Sequence, residues 1–127
     1  MVLLMGSFRK LKVWHEASAL TVSIYKLTAG FPKTELYGLT SQMRRAAVSV
    51  TSNIAEGCGR NGDRELARFL RIALGSLTEL DSLVLVSKDL EMCTEAASGE
   101  LATLIRHIRG RLSRLLTSLD LPNTNDR

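Results

Sequence analysis

Residues 39–57 read Leu39-Thr40-Ser41-Gln42-Met43-Arg44-Arg45-Ala46-Ala47-Val48-Ser49-Val50-Thr51-Ser52-Asn53-Ile54-Ala55-Glu56-Gly57. Leu39, Met43, Ala46, Ala47, Val50 and Ile54 return at steps of three and four, the spacing of one face of an α-helix. The stripe is narrow, and Ala46 and Ala47 are small where a second helix must approach closely. Gln42, Arg45, Ser49, Asn53, Glu56 and Arg60 form a second, polar stripe beside the first. It is either a solvated flank or a hydrogen-bonded network at a helix or subunit seam, where Asn53 would have to be satisfied. Glu56 and Arg60 have the i,i+4 spacing of an ion pair.

The same period extends outward on both sides. Trp14, Ala17, Leu20, Ile24 and Leu27 predict a helix over about 12–29, which Gly30 can end and Pro32 cannot continue. Leu66, Phe69, Leu70, Ala73, Leu77, Leu80 and Val84 predict one over about 62–90. Leu101, Leu104, Ile105, Ile108, Leu112, Leu115 and Leu119 predict one over about 95–119, with Thr94 or Ser98 as its cap. No stretch alternates with the period of a strand, and Pro32 and Pro122 fall outside the windows. Short connections make sequential helices antiparallel. The expected architecture is one all-α domain over 1–127, an up-down four-helix bundle with a flexible tail at 120–127.

Helix three is apolar on more than one side. Ile72, Leu83, Val86 and Leu90 lie roughly 100° around the wheel from Ala73, Leu77, Leu80 and Val84. A bundle buries one stripe per helix, and burying each Leu or Val contributes about 1.5–3 kcal/mol. Ile72, Leu83, Val86 and Leu90 are therefore expected at an interface between copies. A few singly exposed apolar groups are the bland alternative.

The chain has 127 residues, 45% hydrophobic and 24% charged, which excludes disorder, collagen and a disulfide scaffold. No apolar run approaches the roughly 18 residues of a membrane span, and Met1–Met5 is too short for a signal peptide. A cytoplasmic protein without membrane contact is expected. The net charge is +4, unevenly spread: residues 39–72 carry six basic and three acidic groups, residues 73–100 one and six. A polar molecule with a basic side can meet phosphates, or oppositely charged helices and subunits.

Motifs for catalysis or metal are weak. Gly57-Cys58-Gly59-Arg60-Asn61-Gly62 matches G-x-G-x-x-G, but the dinucleotide fingerprint needs a strand before it. It reads as a turn in which glycine ends helix two and Asn61 caps helix three. A helix N-terminus flanked by Arg60 and Arg64 could still attract phosphate. His15-Glu16 begins like a zinc-protease helix, but position 19 is alanine. His15 and His107 sit on different helices, so no metal is expected. Ser49 and Ser52 lack a histidine nearby in sequence to activate them. Cys58 and Cys93 flank a helix of about 40 Å, too far apart for a disulfide. Neither a catalytic constellation nor a cofactor is expected.

Arginines gather at the start of helix three (Arg60, Arg64, Arg68 and Arg71) and on helix four (Arg106, Arg109, Arg111 and Arg114). Arg64, Arg68 and Arg71 point away from the apolar stripe. The guanidinium fork suits phosphate, while a solvated face is the commoner use. Aromatics are few and mostly at core spacing, so base stacking on single strands is not indicated.

An ordered series then carries a resemblance. Phe8, Leu11, Val13-Trp14, Ala17, Leu20 and Tyr25 open it. Phe31-Pro32 and Tyr37-Gly38-Leu39-Thr40 follow, then Gln42. Arg44-Arg45-Ala46-Ala47-Val48-Ser49-Val50 and Ser52-Asn53-Ile54-Ala55-Glu56-Gly57 are the most specific part. Gly59-Arg60, Glu65, Arg68-Phe69-Leu70, Ile72-Ala73, Gly75-Ser76 and Glu79-Leu80 complete it. The chain resembles the 23S rRNA intervening-sequence proteins. The resemblance implies a four-helix bundle, assembly as a cyclic homopentamer, and a fold similar to the nucleic-acid-associated accessory protein of diversity-generating retroelements. Thr51 stands where the family usually has proline, which should leave helix two regular. Leu66 replaces a usual aromatic.

The expected function is a non-enzymatic, ring-like homo-oligomer contacting RNA or DNA backbone, with Arg44, Arg45, Arg60, Arg64 and Arg68 as candidate contacts. The alternative is an oligomeric adaptor for a protein partner, its arginines solvated or paired between subunits.

Overall fold

The computed structural model describes residues 7–119 and 121, so the expected tail at 120–127 lies outside the described residues apart from Leu121. Four α-helices carry the fold: α1 (Lys12–Thr28), α2 (Leu39–Gly59), α3 (Asp63–Asp89) and α4 (Glu95–Ser118). Short 3-10 turns at Phe8–Lys10 and Lys33–Glu35 precede α1 and α2. No strand occurs among the described residues. The most extensive seam joins α2 to α3, followed by α1–α2 and α3–α4, with α1–α4 the slightest. Consecutive helices are thus neighbours around the bundle, as short antiparallel connections require.

The anticipated stripes form the core. Every apolar position expected on α2 and α3 is buried, from Leu39 to Ile54 and from Leu66 to Val84. α1 differs slightly. Val13 takes the inward place at its start, while Trp14 is half-buried and packs its ring 4.8 Å from that of Phe8. On α4, Leu104 and Leu115 are half-buried at the rim of the same core.

Helix starts follow the available donors and acceptors. The Thr94 hydroxyl accepts from the Ala97 amide at 3.1 Å, the expected cap of α4. Gly38 has no side chain to offer α2, and Glu35 Oε1 accepts from the Leu39 amide at 3.3 Å instead. A carboxylate there also suits the positive end of the helix. α2 runs unbroken through Thr51, whose hydroxyl bonds back to the Val48 carbonyl at 2.8 Å.

The α2–α3 turn corrects one expectation. Asn61 does not cap α3: Gly62 occupies that position, with φ of 89°, a conformation a side chain would strain. A glycine does end α2, at Gly59, two residues beyond the expected window. Gly57 lies where α3 passes close, since a Cβ there would lie 3.0 Å from both Leu66 Cδ1 and Phe69 Cβ. Leu66 can shift its end, but Phe69 Cβ is fixed to the α3 backbone. Gly57→Val should therefore lower stability by about 2–3 kcal/mol through overpacking. Chemical denaturation checks this, and a change below about 0.5 kcal/mol would mean the seam yields freely.

Candidate nucleic-acid interface

The five candidate arginines do not form one cluster. Arg44 and Arg45 lie early in α2, and Arg60 follows its last turn. The rise of the helix places them about 22–24 Å apart. α2–α3 pairing then brings Arg60 together with Arg64 and Arg68.

At the turn, Phe69 organises two of the cations. It is almost fully buried, and its ring lies 5.3 Å from the Arg60 guanidinium carbon and 4.4 Å from that of Arg68. The ring quadrupole attracts both from different helices. Arg60 also pairs with Glu56 at 2.7 Å, as its spacing implied, and Arg68 with Glu65 at 2.8 Å. The hydrogen bond from Arg68 holds the Glu65 carboxyl below its usual range, so Glu65 stays ionised at neutral pH and offsets part of the arginine charge. Arg64 and Arg71 are exposed on the same outer side of α3. The result is a cationic end of the hairpin whose side chains extend into solvent.

Arg44 is committed elsewhere. Its Nε donates to Thr28 Oγ1 at 2.8 Å, and its guanidinium stacks over Tyr25 at 4.6 Å. It thereby pins the end of α1 to α2. Arg45 is exposed and, with Arg44, Tyr25 and Tyr37, lines an open groove on the α1–α2 face.

Two of the α4 arginines are also engaged within the bundle. Arg109 approaches Asp81 of α3 at 3.6 Å. Arg111 lies 2.7 Å from Glu16 of α1, and His107 meets the other oxygen of that carboxylate. Glu16 bridging to α4 was not anticipated. Its only trace in the sequence is that His107 and Arg111 share one helical face. The Glu16 contacts tie α4 to α1 across the slighter of its two seams, and Arg109 ties it to α3.

The polar stripe of α2 is a helix seam along part of its length. Ser49 and Ser76 share a hydrogen bond of 2.8 Å across α2 and α3, and Asn53 donates to the Ser49 carbonyl at 2.8 Å. The second face of α3 lies beside it. Ile72, Val86 and Leu90 are 40%, 42% and 55% exposed. Leu83 is half-buried and packs partly on the core, so it is less available to a partner than the other three.

No group of three His, Cys, Asp or Glu side chains is placed to hold a metal among the described residues. Cys58 and Cys93 are free and buried, and burial pushes both thiols up. No helix among the described residues is long and apolar enough to cross a membrane.

Residues 9–114 match the family model described as 23S rRNA-intervening sequence protein. The chain belongs to that family. The 23S rRNA-intervening sequence fold is seen again in the crystal structure of a protein of unknown function from the S23 ribosomal protein family of Bacteroides thetaiotaomicron. That structure superposes with a TM-score of 0.75 at 18% identity, covering 84% of this chain and 99% of the other. At that identity the likeness concerns the fold alone. No curated protein matches the chain.

Proposed function

We propose that this protein is a non-enzymatic, cytoplasmic homo-oligomer that contacts the phosphate backbone of RNA or DNA through the arginine end of its α2–α3 hairpin. The observation that carries this is the grouping of Arg60 and Arg68 on the Phe69 ring, with Arg64 and Arg71 exposed beside them. Guanidinium groups suit phosphate oxygens through their fork of donors. Contacts of this kind position a strand without reading bases. Exposed Ile72, Val86 and Leu90 support self-association, and the family resemblance supports a ring of five as its form. In a ring the cationic ends repeat, so modest binding per subunit sums through avidity.

Binding to unrelated RNA and DNA oligonucleotides, titrated with salt, tests the proposal. Affinity should be similar across sequences and fall by tens of fold between about 50 and 200 mM salt, as released counterions oppose it. Absence of binding at low salt would favour the oligomeric adaptor instead.

A further inference from the structure

The antiparallel order of the helices gathers more cations at one end of the bundle than the α2–α3 hairpin supplies. Arg44 bonds to Thr28, and Thr21 donates to the Ala47 carbonyl, so the start of α1 lies against the end of α2. The Phe8–Lys10 turn packs on both helices there. Arg9 and Lys10 on this turn, and Lys12 at the start of α1, are exposed. Around the bundle α2 lies between α1 and α3. Arg9, Lys10 and Lys12 thus stand on one side of the α2 terminus, and Arg64 and Arg68 on the other, with Arg60 between. Packed helix axes lie about 8–10 Å apart, so the two outer rows are separated by more than about 10 Å. Glu56, Asp63 and Glu65 offset this charge only in part. The opposite end of the bundle carries exposed Asp89, Glu91 and Glu95.

The aromatic rings at the cationic end are already in use. Phe69 is almost fully buried beneath Arg60 and Arg68. Arg9 lies over the Phe8 ring at 4.8 Å, and Phe8 packs on Trp14. Tyr37 is 93% exposed and free to stack on a base, but it precedes α2. The length of that helix puts it about 30 Å from Arg60. We infer, on the backbone-contact reading above, that the ligand is double-stranded, with the two cation rows set against its two phosphate strands. Single-strand binding draws on bases stacked between cations on aromatic side chains. Among the described residues, no ring at this end is free for that. Charge then ranks the ligands. A duplex carries one phosphate charge per about 1.7 Å of axis against about 3.4 Å for each of its strands, and it releases more counterion per neutralised phosphate. Rows more than about 10 Å apart also suit phosphates on the two sides of a groove about 12 Å wide. A single strand offers one line of phosphates. The acidic far end is repelled by the same field, so the bundle meets the duplex end-on.

Fluorescence anisotropy with the full chain tests this, comparing an oligonucleotide with the same strand annealed to its complement, as RNA and as DNA. Each duplex should bind at least about tenfold tighter than its strands at low salt, with a steeper salt dependence. A preference for duplex in either arm supports the inference, and the tighter arm identifies the helical form that fits. Arg9→Glu with Lys12→Glu should weaken duplex binding at least about fivefold and bring it toward the single-strand value. Both positions are exposed, and helical circular dichroism checks the fold, with Lys10→Glu alone as the milder variant. Lys33→Glu, on the turn at the far end, should leave binding unchanged. Single strands that bind as tightly as the duplex would overturn the double-stranded ligand and leave the hairpin contact standing. A double variant that binds duplex like the parent would overturn the second cation row, as would an equal loss on changing Lys33. Absence of binding to every probe would instead remove the backbone-contact reading itself.

Discussion

Ile54→Ala should lower the stability of the protein by about 2–5 kcal/mol, through reduced burial and the cavity left behind. Ile54 is fully buried in the core cluster that contains Leu66 and Leu70. It sits one turn before Gly57, where the close approach of α3 leaves the backbone little room to collapse into the void. Urea denaturation at fixed protein concentration measures the change, since association would otherwise move the midpoint. An unchanged slope with a lower midpoint assigns the loss to the native core. A loss below about 1 kcal/mol would mean that the site refills by repacking and that α2 and α3 are not the rigid centre.

Reversing Arg64 and Arg68 together, as Arg64→Glu with Arg68→Glu, should weaken nucleic-acid binding at least about tenfold at low salt, equally across sequences. The salt dependence should flatten by roughly one unit of slope for each phosphate that the variant no longer neutralises. Stability should change little. Both side chains are exposed, and the Arg68–Glu65 pair lies on the surface, where such pairs contribute weakly. Fluorescence anisotropy at several salt concentrations reads both quantities, with circular dichroism as the control on fold. A double variant that binds as well as the parent would exclude the hairpin end as the binding surface and leave the adaptor as the better account.

The two arginine groups differ in a way that matters for this test. Arg44 is held by Thr28 and Tyr25, so its removal would loosen the α1–α2 junction as well as change charge. Arg64 is exposed on the outer side of α3 and ties no two helices together in this way. A drop in binding on changing Arg44 would therefore be ambiguous, whereas a drop on changing Arg64 and Arg68 reports on the surface itself.

The helices and their buried stripes were legible in the sequence because both are local. A side chain at i lies above those at i+3 and i+4 whatever the helix packs against. Leu39, Met43, Ala46, Ala47, Val50 and Ile54 thus declared their common face, and all are buried. The Glu56–Arg60 pair and the Thr94 cap were legible for the same reason. What one helix presents to another was not. It depends on the rotation of each helix about its axis and on antiparallel pairing, which no spacing within one helix records. Only the tertiary structure placed Phe69 between Arg60 and Arg68, separated them from Arg44 and Arg45, and joined Glu16 to His107 and Arg111. It also set the polar stripe of α2 against Ser76 and beside the exposed face of α3, with the tyrosine-lined groove on the other side of α2. Periodicity determined which residues turn inward, and packing decided which of the outward ones meet.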